Sequence, residues 1–212
     1  MGSNYIRMRD ASRALFMEYD QEEIIRRWDL RHDEAYLYAD FMGQALKIDR
    51  RTAEVSHVAA PAPGEYVCGD FINESMALFD LLTRSPARPR ALGQWSSIGT
   101  LGGIIGAGHD RTLSNEPTAE LFRGRTEALA RACERLNGVP AGKADVGYAI
   151  PVFRDFQILF QFWDGDDEFP ASIKYLFDAN ALQFMHYETL WYVMNCLSER
   201  LKHYAKRQDG PA

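Results

Sequence analysis

Two stretches in the last third of the chain restrict its fold more than anything else in it. In "FQILFQFW", Phe156, Ile158, Phe160 and Phe162 fall on one side of an extended backbone, and Gln157, Leu159, Gln161 and Trp163 on the other. "SIKYLFD" repeats the pattern, with Ile173, Tyr175 and Phe177 opposed to Ser172, Lys174 and Leu176. A period of two places alternate side chains on opposite faces, so both stretches predict strands of a sheet that lays one face on a core. Between them lies the acidic "DGDDEFPA", whose Asp164-Gly165 pair is a strong short-range hairpin signal.

Other segments carry helical signals. Asp20 and Glu23 have capping-box spacing ahead of Ile24, Ile25 and Trp28, which predicts a helix starting there. Ile72, Met76, Phe79 and Leu82 recur at helical spacing until Pro86 and Pro89 forbid continuation, so that helix should end near Thr83. One further helix is expected between Asn115, a candidate cap, and the stop signal Asn137, Gly138 and Pro140, with Phe122, Leu129, Ala132 and Leu136 buried. The last helix should run from about Tyr187 to Lys206, on the stripe Leu190, Met194, Leu197, Leu201 and Tyr204.

Between the first two helices, strands are expected around Ala35 to Phe41, at Leu46 and Ile48, and near Ala53 to Val58, with a turn at Gly43 and Gln44. The prolines of "AAPAPGE", Ala59 to Glu65, predict an extended surface connection. Strands arriving in groups, with helices between the groups, predict an α+β class: an antiparallel or mixed sheet packed with helices in a single domain. Residues 1–19 read as an N-terminal helical extension and 20–206 as the core.

Composition narrows the function classes. Hydrophobic residues make up 46% and charged residues 25%, as expected of a globular chain. The 24 basic and 30 acidic side chains leave a net charge of −6, which argues against general affinity for nucleic-acid backbone or anionic membranes. No apolar stretch approaches the roughly 20 residues of a membrane span, and the start lacks the apolar core of a signal peptide, so a cytoplasmic location is expected. Cys68, Cys133 and Cys196 stand far apart, without a C-x-x-C pair, and should be reduced and buried.

Motifs for chemistry are sparse. Glycines 99, 102, 103, 106 and 108 never assume the G-x-G-x-x-G spacing, so the stretch reads as a glycine-rich hairpin or close-packed loop rather than a phosphate cradle. His109 beside Asp110, and His186 two before Glu188, are the only local histidine–carboxylate pairs singled out. The acidic cluster departs from a calcium loop, since Phe169 stands where the obligatory glycine would be. It reads as an exposed hairpin tip, with a cation site as the alternative, and no metal ligands are assigned. Pro170 cannot donate to a ladder and should mark an edge or a bulge.

The run of tryptophan, acidic turn, E-F-P-A and L-F-D resembles a prokaryotic family defined as domain of unknown function three-seven-eight-six. It is carried here by Trp163, Asp166, Glu168, Phe169, Pro170, Ala171, Leu176, Phe177 and Asp178, with "QWSSIGTLGG" and "ADVGYAIPVF" in support. The resemblance assigns no activity and no cofactor. It implies a neighbourhood of iron–sulfur modules like those of corrinoid iron–sulfur proteins, and so anaerobic one-carbon metabolism. This chain has no clustered cysteines to hold such a cluster itself.

The expected function is a non-enzymatic binding or accessory module for a protein partner, a corrinoid or iron–sulfur protein being the implied one. Its candidate contact residues are Trp163, Asp166, Glu168, Pro170, Ser172 and Asp178, with Trp95 or Trp163 as aromatic anchors beside the acidic loop. The alternative is a small-molecule or metal-assisted hydrolytic enzyme, in which Glu168, Asp178 and Ser172 converge on one pocket. A third role for the motif residues is architectural, with Asp178 capping the turn toward the last helix.

Overall fold

The computed structural model describes residues 4–84, 87–101 and 116–206. In chain order the elements are α1 (Asn4–Met17), α2 (Gln21–Trp28), β1 (Arg31–His32), β2 (Tyr36–Phe41), β3 (Gln44–Asp49), β4 (Val55–His57) and α3 (Ile72–Thr83). There follow β5 (Trp95–Ser97), α4 (Ile98–Leu101), α5 (Glu116–Glu120), α6 (Thr126–Arg135), β6 (Val139–Pro140), β7 (Val146–Phe153), β8 (Phe156–Trp163) and β9 (Ser172–Asp178). The short α7 (Ala181–Phe184) and the long α8 (Tyr187–Lys206) close the chain. Among the described residues, no helix is long and apolar enough to cross a membrane.

The class is α+β, and both sheets are antiparallel. One sheet has the order β1-β2-β3-β4, and the other β5-β9-β8-β7-β6. A backbone bond from Met42 N to the Val152 carbonyl, 2.9 Å, joins the first sheet's hairpin to β7. Residues from both sheets and from α2, α3, α6 and α8 form one continuous apolar core. Helix α8 is its spine, packing against both α3 and α6, while α1 lies on α3.

Local chemistry explains the boundaries. The Asp20 carboxylate accepts from the N–H groups of Glu22 and Glu23 at 2.9 and 3.2 Å and so starts α2. Strands β8 and β9 occupy the two alternating stretches and pair from Ile158↔Phe177 to Trp163↔Ser172. Leu159 and Gln161, on the more polar face of β8, are buried as well, because this central strand is covered on both sides.

Two local expectations are corrected. The β2–β3 turn is Met42–Gly43, not Gly43–Gln44: both residues have positive φ, 46° and 77°, as the right-handed twist of a two-residue hairpin requires. The helix expected from Asn115 to Leu136 is two helices. Gly124, at φ 69°, breaks it, and its N–H is donated to Asp164 instead of to a helical carbonyl. Two-residue β1 carries too little pattern to be read in advance. Asn115, the pair His109–Asp110 and the glycine-rich stretch from residue 102 onward lie outside the described residues.

Candidate functional site

The acidic segment is a hairpin connection, but not the two-residue turn that Asp164-Gly165 suggests. Pairing stops at Trp163↔Ser172, leaving residues 164–171 as the loop. Asp166 organises its tip: its carboxylate accepts from the N–H groups of Glu168 and Phe169 at 2.8 and 2.7 Å, and its own N–H donates to the Phe169 carbonyl at 2.9 Å. These backbone bonds, that from Phe169 foremost, hold the Asp166 carboxyl below its ordinary pKa. Gly165 is required by space, since a Cβ there would meet the Ala171 nitrogen at 2.6 Å.

The loop is also tied down from outside. Asp164 N–H donates to Asp145 at 2.7 Å, and the Asp164 carboxylate accepts from Gly124 N–H at 2.9 Å. Arg123 donates to the Asp166 carbonyl at 2.7 Å, and Ala171 N–H to Glu120 at 3.3 Å. Two of the crowded acids therefore serve backbone donors, while Asp167 and Glu168 present their carboxylates on the exposed surface. Among the described residues, no group of three or more histidine, cysteine, aspartate or glutamate side chains is arranged to hold a metal ion.

On this fixed frame Phe169 stands 68% exposed, next to exposed Pro170, with Leu121 also exposed on the turn that Arg123 and Gly124 tie to the loop. Trp163 is half-buried at the loop's base. Trp95, the other expected anchor, pairs with Asp178 at the far end of β9 and does not stand beside the loop. Pro170 lies two residues before the start of β9, whose outer edge is bordered by β5 only from Leu176 to Asp178 among the described pairings.

Glu168, Ser172 and Asp178 do not converge. Ser172 and Asp178 are the two ends of β9, about 20 Å apart at the rise of an extended strand. Asp178 is 3% exposed and its carboxylate is spent on the backbone, accepting from Leu92 N–H at 3.1 Å, Gly93 N–H at 2.7 Å and Asn180 N–H at 3.2 Å. It pins the approach to β5 against the turn into α7.

The family model described as Domain of unknown function (DUF3786) matches residues 20–200. The chain belongs to this family. No curated protein and no solved structure matches it. The matched DUF3786 stretch runs from the cap of α2 to Arg200 in α8, so α1 lies outside it.

Arg200 marks a polar centre of this DUF3786 chain that was not among the residues expected from sequence. Its guanidinium is fully buried and donates to Glu74 at 3.0 Å, to the Cys196 carbonyl at 3.0 Å and to Gln44 at 2.8 Å, with the Cys68 sulfur 3.6 Å away. The Tyr66 ring covers it at 4.7 Å. The group joins α8 to α3 and β3 and holds the connection that crosses α8, where Tyr66 N–H donates to the Tyr204 hydroxyl and the hydroxyl to Glu65. A signal did exist: Arg200 falls four residues after Cys196 and four before Tyr204, on the apolar stripe of α8.

This centre is built for cohesion rather than nucleophilic attack. Burial pushes the Cys68 thiol up to about 12, so no thiolate forms there at neutral pH. Burial, aided by the Arg200 charge, lowers the pKa of His57, whose Nε2 accepts from Cys68 N–H at 3.3 Å.

Proposed function

We propose that the protein is a non-enzymatic binding module that docks on a partner protein through the loop at residues 164–171. The observation that carries this reading is Phe169: a large aromatic side chain, 68% exposed, on a loop whose backbone is fixed by the bonds of Asp166, Asp164 and Arg123. An aromatic on a backbone fixed before binding has only its own side-chain rotamers to lose on docking, which is how anchor residues concentrate binding energy. Asp167 and Glu168 flank it, so the complementary surface is an apolar pocket rimmed by lysine or arginine. A corrinoid or iron–sulfur protein, implied by the resemblance, is the first partner to present.

The test is photo-crosslinking from position 169, with a benzophenone amino acid replacing Phe169, in cells that naturally express the protein. The expected result is one discrete protein adduct that disappears when Asp167 and Glu168 are both changed to lysine. The same probe at Val139, which is 63% exposed on β6, is the control. Adducts that are the same from both positions, or indifferent to the charge reversal, would refute the proposal.

A further inference from the structure

We infer that the groove between α1, α3 and the start of α8 is a binding site for a small amphipathic amine, with His186 Nε2 and Glu188 receiving its ammonium group. The groove encloses about 410 Å³, within the range of small-molecule sites. Met8 and Leu15 of α1, Met76 of α3 and Tyr192 of α8 contribute an apolar wall. Asp80, Arg84, His186 and Glu188 supply its charged and titratable groups, together with the phenols of Tyr19 and Tyr192.

The orientation of His186 gives the site its chemistry. The Asp80 carboxylate receives two bonds from this one residue, from the backbone N–H and from ring Nδ1, both at 2.6 Å. A carboxylate only accepts, so Nδ1 carries the hydrogen, and of the two neutral tautomers the contact selects the one whose acceptor is Nε2. The ring cannot turn without breaking that bond, yet its side chain stays 59% exposed while that of Asp80 is 13% exposed. The tie to Asp80 explains how the helix start is anchored to α3, and it leaves the outward edge of the imidazole open to the groove.

Charge selects the ligand. Two carboxylates, Asp80 and Glu188, line the groove against one guanidinium, Arg84, and the tautomer that Asp80 selects adds an acceptor at Nε2. A donor-rich cation matches this set, and the tyrosine rings offer faces to it. A carboxylate or phosphate would meet like charge. The apolar wall calls for a hydrocarbon body on the same molecule, which leads to an aralkyl- or alkylammonium.

The experiment follows the methionine methyl resonances of the full chain labelled with ¹³C-methyl methionine, because Met8 and Met76 report from inside the groove. The probes are 2-phenylethylammonium and, as its anionic counterpart, 3-phenylpropionate. The amine is expected to shift both methyls saturably and the carboxylate to leave them in place. Glu188→Gln should weaken the amine about two- to fivefold, as loss of an exposed ion pair does. Leu15→Lys, at an exposed position, places a fixed cation in the groove and should abolish the shifts without touching the core.

Three results would overturn the inference. One is an absence of methyl shifts up to the solubility limit of the amine. Another is an equal or stronger response to the carboxylate, which would mark an anion site at Arg84. The last is binding unchanged in both variants.

Discussion

Changing Glu74 to glutamine tests the buried centre most sharply. The substitution keeps the shape and one acceptor oxygen for Arg200, and removes only the negative charge. Arg200 is 0% exposed at its side chain and Glu74 6%, so solvent cannot take over the neutralisation. A guanidinium cannot shed its proton to escape, as a buried lysine or carboxylate can by changing its protonation. Removing one partner of a buried pair costs about 3–5 kcal/mol, and the surviving hydrogen bond places this variant near the lower end, about 3 kcal/mol.

For a chain of this length each kcal/mol moves the melting temperature by about 2–4 °C, so Glu74→Gln should melt about 6–12 °C lower. Urea unfolding at neutral pH, followed by circular dichroism, should show a lower midpoint with an unchanged slope. Arg200→Met together with Glu74→Met, which removes both charges and fills the space, should cost less than Glu74→Gln alone. A melting temperature within about 2 °C of the native chain would refute the reasoning. It would mean that the neutral acceptors of Gln44 and the Cys196 carbonyl suffice to solvate the guanidinium.

Asp178→Ala strands three backbone donors, of which those at Leu92 and Gly93 lie near solvent; a loss of about 2–3 kcal/mol is expected, read as a melting temperature about 4–12 °C lower, with crosslinking from position 169 unaffected. All three cysteines are buried, and burial raises the Cys68 thiol to about 12, so a disulfide reagent should find no reactive thiol in the native chain and three after denaturation. The Asp166 carboxyl titrates below its ordinary value because its ionised form accepts the Phe169 and Glu168 N–H groups. Its contribution is therefore present above the unfolded carboxylate value and lost as pH falls through the depressed one. The Glu168 and Phe169 amide resonances should follow that titration and be insensitive to it in Asp166→Asn.

Elements defined by a repeating pattern were legible in advance. Strands β8 and β9 and helix α8 have the residue ranges that their periods of two and 3.6 imply, because burial of one face decides such segments locally. Asp20 likewise announces α2, since a cap needs only the adjacent N–H groups. The acidic hairpin tip was visible too, as a polar interval between two apolar alternations.

Features that depend on partners distant in sequence were not legible. The break at Gly124 is completed by Asp164, from another hairpin: the glycine weakens the helix signal between Pro117 and Leu136, but nothing near it in sequence announces the partner that fixes the break. Separation of Asp178 from Glu168 and Ser172 follows from strand length and from what each end of β9 meets, not from their closeness in sequence. Arg200 and Glu74, or His186 and Asp80, are brought together by the packing of α3 against α8. The sequence by itself thus determined the strands and helices that carry a strong repeating pattern or a local cap, because each such choice rests on neighbours within a turn or two. Only the tertiary structure decided which charges are neutralised, which loop is tied down and which imidazole is oriented by a carboxylate, because those outcomes require residues that meet across the fold.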